Sequence, residues 1–148
     1  MNLRVLVVDD SMIMRRKIKI MLEDLGHTVI YEAKNGEDAL LSYAQKMPDF
    51  VTMDITMPEV DGIEATKNII ESFPRAKIIM VTSHGQENLV IKAIKAGAKG
   101  YILKPLKEEK IAIEIEKLFK NNENKEKEID LLNDDLFNDD IFSDDFFI

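Results

Sequence analysis

The chain has 148 residues, 45% of them hydrophobic and 32% charged, which indicates one globular domain with an appended segment. It contains no cysteine, which excludes disulfides and thiolate metal sites and favours a cytoplasmic protein. No apolar stretch approaches the roughly 20 residues that span a bilayer, and Asp9-Asp10 interrupt the first apolar run. We therefore predict neither membrane insertion nor a secretory signal.

The formal net charge of −8 is concentrated at one end of the chain. Residues 121–148 contain 2 Lys and 10 Asp or Glu, so they carry all of this charge, whereas residues 1–120 are balanced. A strongly acidic segment is repelled by nucleic acid and by anionic membrane surfaces. We therefore predict no nucleic-acid partner.

Strand and helix patterns alternate along residues 1–120, which predicts an α/β, doubly wound (βα)5 fold with a parallel sheet between two layers of helices. Apolar runs predict strands at Leu3–Val8, Thr28–Ala33, Phe50–Met53, Lys77–Val81 and Lys99–Leu103. Helices are predicted at Ser11–Leu25, Gly36–Lys46, Gly62–Ser72, Gln86–Ala96 and Lys107–Lys120. Ser11 is the expected N-cap of the first helix, and Gly26 and Gly97 are expected to end the first and fourth.

The chain after residue 120 has a different composition. Residues 121–128 form a polar linker, and a unit of two apolar residues, one small polar residue and two aspartates then repeats over 131–145. A five-residue repeat matches neither the helical nor the strand period, so its apolar pairs form no continuous face. We predict a folded domain at 1–120 and a disordered, acidic, Phe-containing tail at 121–148.

Polar side chains follow four of the predicted strands at the point where each strand ends. Asp9 and Asp10 follow the first strand, Asp54 the third, Thr82 the fourth and Lys104 the fifth. The carboxyl ends of parallel strands lie along one edge of an open sheet, where ligands bind. We therefore expect three carboxylates, a hydroxyl and an ammonium to meet there.

This set of groups suits Mg²⁺ and phosphoryl chemistry. Clustered carboxylates repel one another unless a cation joins them, and Mg²⁺ prefers oxygen ligands. The carboxylate of Asp54 can take a phosphoryl group as an acyl phosphate, while Lys104 and Thr82 contact its oxygens. Each residue taken alone is explained equally well as a turn, cap or surface residue, and only their joint occurrence favours a site. The Lys104–Pro105 bond is a candidate for the cis form.

The residues around these positions resemble a known family over about residues 2–119. The chain is similar to the response-regulator receiver domains, and within them to the stand-alone, CheY-like chemotaxis regulators. The resemblance implies a flavodoxin-like sheet of order 2-1-3-4-5. It is carried by Val7–Ser11, Val51–Gly62, Val81–Ser83, Lys104–Leu106 and, for the chemotaxis group, residues 54–59 and 93–99.

The resemblance also implies a role for each site residue. Asp54 is the expected phosphoacceptor, and Lys104 and Thr82 contact the phosphoryl group. Thr82 and Tyr101 form the expected switch pair. The implied Mg²⁺ ligands are Asp10 directly, Asp9 usually through water, Asp54 and the backbone carbonyl of Thr56. The implied rate-tuning positions are Thr56, Ser83 and His84.

The function implied is that of a phosphorylation-activated signalling protein of a two-component chemotaxis system. The expected partners are a sensor histidine kinase, the flagellar motor switch protein and a phosphatase. We expect a monomer that is not an enzyme, apart from its own phosphoryl transfer and autodephosphorylation.

Three alternatives remain open at this point. A phosphorelay intermediate or another single-domain response regulator would share the same receiver chemistry and differ in its target. A phosphatase of the haloacid-dehalogenase type also uses an aspartate nucleophile, but its nucleophile follows the first strand, whereas Asp54 follows the third.

The tail has its own alternatives. It could dock on the domain's basic output face, bind another protein or remain solvated, and residues 128–132 weakly resemble the acidic peptide of the flagellar switch protein. The lysines expected on the output face are Lys92, Lys95, Lys99, Lys107 and Lys110.

Overall fold

The computed structural model describes residues 1–83 and 85–120. The strands are β1 (Arg4–Val8), β2 (Thr28–Ala33), β3 (Phe50–Met53), β4 (Ile78–Thr82) and β5 (Gly100–Leu103). The helices are α1 (Met12–Asp24), α2 (Gly36–Lys46), α3 (Gly62–Ser72) and α4 (Glu87–Ala96), followed by α5 at 108–120. The predicted α/β class and alternation are confirmed.

The five strands form one parallel sheet of order β2-β1-β3-β4-β5, as the resemblance implied. Every residue of β3 and β4 is buried, and so are the last four residues of β1. The edge strands β2 and β5 are only partly buried. The sheet therefore has its apolar centre at β1, β3 and β4, and each of these strands ends at the candidate site.

Local capping explains why three helices begin where they do. The side chains of Ser11, Asn35 and Asp61 each accept a hydrogen bond from a backbone N–H in the first turn of α1, α2 and α3. At the other end, α4 closes on Gly97, whose φ of 114° is in the left-handed region that favours glycine. Ser11 and Gly97 thus have the predicted capping roles.

The observed boundaries correct the prediction in a few places. β4 is Ile78–Thr82 and not Lys77–Val81, so Thr82 is the last residue of the strand and does not follow it. Its backbone remains in the ladder because Thr82 pairs with Leu103. β1 begins at Arg4, β5 at Gly100, α4 at Glu87 and α5 at 108. α1 covers Met12–Asp24, because Ser11 and Leu25 are its caps.

The sheet lies in a compact unit that spans Met1–Glu114, and a second unit begins at Ile115. The predicted domain boundary at 120 therefore stays a prediction. The tail at 121–148 and the candidate residue His84 lie outside the described residues. Within the described ranges, no helix combines the length and apolar character needed to cross a membrane.

Candidate functional site

Backbone hydrogen bonds carry the sheet ladder one step beyond the strands and fix three site residues. The Asp9 N–H donates to the carbonyl of Ala33 at 3.1 Å, and the Asp54 N–H donates to the carbonyl of Val8 at 2.9 Å. The Lys104 N–H likewise donates to the carbonyl of Thr82 at 2.7 Å. The backbone of each of these residues is therefore hydrogen-bonded to the end of a neighbouring strand. The sheet thus fixes where each of the three side chains begins.

The side chains of Asp9, Asp10, Asp54 and Lys104 come together as the sequence predicts. One carboxylate oxygen from each aspartate lies within 4.8 Å of the others, a spacing that could hold a metal ion. The Lys104 Nζ is 3.2 Å from Asp9 Oδ2 and 3.5 Å from Asp54 Oδ1. Asp9 and Asp54 are buried, whereas Asp10 is exposed.

The electrostatics of this cluster favour binding of a divalent cation. Burial, followed by the repulsion of the Asp9 carboxylate, raises the pKa of Asp54 to about 6, although Lys104 acts in the opposite direction. Three ionised carboxylates and one ammonium leave two formal negative charges. A hard dication that prefers oxygen ligands would balance these two negative charges, so the residues present fit Mg²⁺.

The other predicted site residues that the structure describes lie at or just after the ends of β3 and β4, or within β5. Thr82 is fully buried at the end of β4, Ser83 follows it on the surface, and Thr56 is exposed two residues after Asp54. Tyr101 is half-buried in β5, where it pairs in register with Met80 and packs against the apolar core. Burial raises the pKa of the Tyr101 hydroxyl. The Lys104–Pro105 peptide bond is cis, as the sequence suggested.

Gly62 is a residue of the site that the sequence pattern did not single out. It is the first residue of α3, and its N–H donates to the carbonyl of Ile55 at 2.7 Å. A Cβ at this position would overlap the backbone carbonyl of Asp54. The absence of a side chain at Gly62 therefore lets α3 begin directly against the loop that holds Asp54. The sequence hint for this role was the position of Gly62 at the end of the Val51–Gly62 block.

Arg15 is the second such residue. It is buried on α1, and its Nη1 donates to the backbone carbonyl of Asp9 at 2.8 Å. Its spacing of three and seven residues from the buried Ile18 and Leu22 places it on the core face of the helix. That spacing was visible in the sequence, but an arginine is ordinarily expected on the surface.

The parallel α/β fold and the acidic cluster at the strand ends are typical of signalling receiver domains. The family model for the response regulator receiver domain matches residues 5–116, and the chain belongs to this family. The recognition from sequence motifs is thereby confirmed.

Several of the chain's relatives are chemotaxis proteins. The chain is 45% identical over 118 residues to the chemotaxis protein CheY of Listeria monocytogenes, covering 80% of this chain and 99% of that one. It is 46% identical over 120 residues to the CheY of Thermotoga maritima, covering 81% and 100%. Its fold superposes with a TM-score of 0.76 and 36% identity on a chain of the Borrelia burgdorferi CheX–CheY–BeF3–Mg²⁺ complex, covering 78% of this chain and 88% of that one.

We predict that Asp54→Asn stabilises the metal-free protein at pH 7. An unperturbed aspartate has a pKa of about 3.9, against about 6 for Asp54 in the folded protein. Between these values the folded state binds more protons than the unfolded state, so stability falls as pH rises through about 4 to 6. An amide removes this penalty, and we expect a gain of about 2 kcal/mol in the free energy of unfolding after partial solvent screening.

Urea denaturation at several pH values measures this effect. The gain should shrink as the pH falls and should disappear below about pH 3, where Asp54 is protonated in both states, and it should also shrink at pH 7 when Mg²⁺ is added. A variant less stable than the wild type at pH 7 would contradict the charge-repulsion account of the site.

We also predict that Gly62→Ala displaces Asp54. The added methyl group overlaps a backbone atom, so the β3–α3 loop must move, at a cost of about 1–3 kcal/mol in stability. Mg²⁺ affinity should fall about tenfold, as measured by calorimetry. Gly100→Ala is the matched control, since its Cβ would meet only side-chain atoms at 3.1 Å or more. Equal Mg²⁺ affinity in the two variants would rule out the steric role of Gly62.

Proposed function

We propose that this protein is a phosphorylation-activated signalling protein of a two-component chemotaxis system. Asp54 accepts a phosphoryl group from the phosphohistidine of a sensor kinase, and phosphorylation changes the affinity for the flagellar motor switch. The observation that carries this proposal is the Lys104 ammonium within 3.5 Å of both Asp9 and Asp54, in a cluster of three carboxylates. The CheY relatives support the chemotaxis assignment.

The proposed step is a transfer of the phosphoryl group from nitrogen to oxygen. A carboxylate oxygen of Asp54 bonds to phosphorus as the phosphorus–nitrogen bond of the phosphohistidine breaks. The electron pair of that bond stays on the imidazole nitrogen, which takes a proton from solvent. Because Lys104 already lies 3.5 Å from Asp54 Oδ1, its ammonium can neutralise charge on the incoming phosphoryl oxygens without moving far.

Asp9, Asp10, Asp54 and the Thr56 carbonyl would hold Mg²⁺. The bound cation would reduce the repulsion between the carboxylates and an incoming phosphoryl group. The protein's own contribution is to hold the ligands in place. Asp9 is positioned by the backbone of Ser11, whose N–H donates to Asp9 Oδ1 at 2.9 Å. Asp10 is exposed and so remains accessible from solvent.

The surface beside the site favours a protein donor. Met12 and Ile13 follow Asp10 almost directly on α1, and they are 62% and 69% exposed. Exposed apolar side chains at one place on a surface are typical of a protein contact. A kinase domain that docks there would bring its phosphohistidine to Asp54. A phosphatase is a further proposed partner.

The proposed output involves Thr82 and Tyr101. Tyr101 lines a groove of about 290 Å³ together with Leu103, Lys110 and Ile113. Thr82 ends the neighbouring strand and is fully buried. Movement of Thr82 toward the phosphoryl group would let Tyr101 turn inward and alter this groove, so that a target binds one state better than the other.

Several further assignments belong to the same proposal. Residues 1–120 form the receiver domain and 121–148 an acidic appendage. Ser83 and His84, with Thr56, tune the lifetime of the acyl phosphate, and the protein catalyses no reaction beyond its own phosphorylation and dephosphorylation. The protein acts as a monomer in the cytoplasm, where the proposed kinase and motor switch are met.

Phosphoryl transfer tests the central claim. The protein is incubated with a chemotaxis histidine kinase, ATP and Mg²⁺, and binding to the flagellar switch peptide is then measured. Wild type should be labelled and should bind the peptide several-fold more tightly after labelling. Asp54→Asn should lose both effects, whereas Asp24→Asn, an exposed carboxylate at the end of α1, should retain them. Labelling of Asp54→Asn would refute the assignment, and labelling without a change in peptide binding would favour a phosphorelay role.

We predict that Tyr101→Ala uncouples phosphorylation from output. The variant should be labelled at a rate within about twofold of wild type, because Tyr101 lies in the groove and not among the carboxylates. Its affinity for the switch peptide should no longer respond to labelling. Tyr101→Phe keeps the ring and serves as the control that separates packing from the hydroxyl group. An unchanged response in Tyr101→Ala would exclude a switch role.

A further inference from the structure

Arg15 occupies a position on α1 where an apolar residue is expected. The buried residues of this helix are Arg15, Ile18 and Leu22, which share one face. Arginine is rarely buried unless it is paired, because removing its charge from water is costly. Only 8% of the Arg15 side chain is exposed. Its placement therefore calls for specific partners.

The guanidinium has two partners, from two different strands. Its Nη1 donates to the backbone carbonyl of Asp9, just after β1, at 2.8 Å. Its Nε lies 3.4 Å from Glu32 Oε1 on β2. The Nε is buried, and it makes no hydrogen bond within the described part of the chain. The well-formed hydrogen bond is therefore the one to Asp9, with Glu32 supplying the balancing charge.

The bond to Asp9 completes the immobilisation of this residue. The Asp9 N–H is held by Ala33, Oδ1 by the Ser11 N–H and Oδ2 by Lys104. The remaining polar atom is the backbone carbonyl oxygen, which Arg15 holds. Every polar atom of Asp9 thus has a partner, and only the carbonyl depends on a side chain of α1.

The carbonyl of Asp9 belongs to the peptide group that joins Asp9 to Asp10. Because a peptide group is planar, fixing its oxygen fixes the rotation of the whole group. The direction in which Asp10 leaves the strand is set by that rotation. Asp10 is exposed, so burial does little to hold it in place. The direction in which its side chain leaves the backbone therefore depends on the peptide group that precedes it.

We propose that Arg15 is a positioning residue for the Mg²⁺ site and that Glu32 holds Arg15 in place. Arg15 contacts no carboxylate of the cluster through a hydrogen bond in the described residues, and it acts through the Asp9–Asp10 peptide group. Glu32 sits on the edge strand β2, so the outer strand of the sheet contributes to metal binding through two successive contacts. This inference rests on the proposed function, since it assumes that the cluster binds Mg²⁺.

Mg²⁺ titration of Arg15 variants of the full chain, followed by calorimetry, tests the inference. Arg15→Met has a similar length without the donor, and its Mg²⁺ dissociation constant should rise about tenfold. Arg15→Lys can still donate one hydrogen bond and should lose about threefold, as should Glu32→Gln. Arg16→Met is the matched control, because Arg16 is the exposed neighbour on the same helix and should show the wild-type affinity.

A second readout separates positioning from general stability. Phosphorylation by acetyl phosphate is measured against Mg²⁺ concentration for each variant. A positioning role raises the Mg²⁺ concentration at half-saturation and leaves the rate at saturating Mg²⁺ within about twofold of wild type. A purely structural role lowers the urea midpoint and leaves the half-saturating concentration unchanged, which would overturn the inference.

The remaining outcomes are also decisive. Equal weakening in Arg16→Met would attribute the effect to lost charge on α1 and would refute the role of the Asp9 contact. If Arg15→Met does not fold, Arg15→Lys and Glu32→Gln decide, and wild-type Mg²⁺ affinity in both would refute it. If the wild-type protein itself binds no Mg²⁺, the proposed function fails. If wild type binds and the variants match it, only this inference fails.

Discussion

The arrangement of the site depends on one ammonium group shared between two buried carboxylates. Lys104 reaches both Asp9 and Asp54, which lie at the ends of β1 and β3, from its own position after β5. Without a cation between them, these carboxylates would repel one another strongly in a partly desolvated setting. The central strands are held together by apolar burial, and the same packing forces the acidic residues at their ends into proximity.

The proximity of these carboxylates destabilises the folded protein, and a bound cation or proton would reduce that destabilisation. Lys104 offsets one of three negative charges, and burial together with the remaining repulsion raises the pKa of Asp54. A group with a raised pKa binds a proton, a metal or another electrophile more readily than an isolated carboxylate does. A cation bound at Asp54 would therefore recover part of the stability that its burial and repulsion cost.

The sequence predicts those features that depend on local patterns or on strand direction. The predicted bounds of α2 and α3 match those of the structure, and the meeting of Asp9, Asp54 and Lys104 follows from the parallel direction of the strands. The strand order came from the family resemblance. The roles of Gly62 and Arg15 needed the structure, because each depends on an atomic contact, of Gly62 with the Asp54 carbonyl and of Arg15 with the Asp9 carbonyl. Periodicity assigns a residue to a face of a helix, but it does not identify the atom that the residue meets there.

The two neighbouring aspartates after β1 differ in how firmly the structure holds them. Asp9 is buried and held at every polar atom, so little conformational entropy is lost when it binds a cation. Asp10 is exposed, and its carboxylate can adjust as the charge beside it changes. A site with both kinds of residue keeps one carboxylate fixed and leaves the other free to adjust. Because the two residues share one peptide group, the contacts that hold Asp9 also set the direction in which the backbone continues into Asp10.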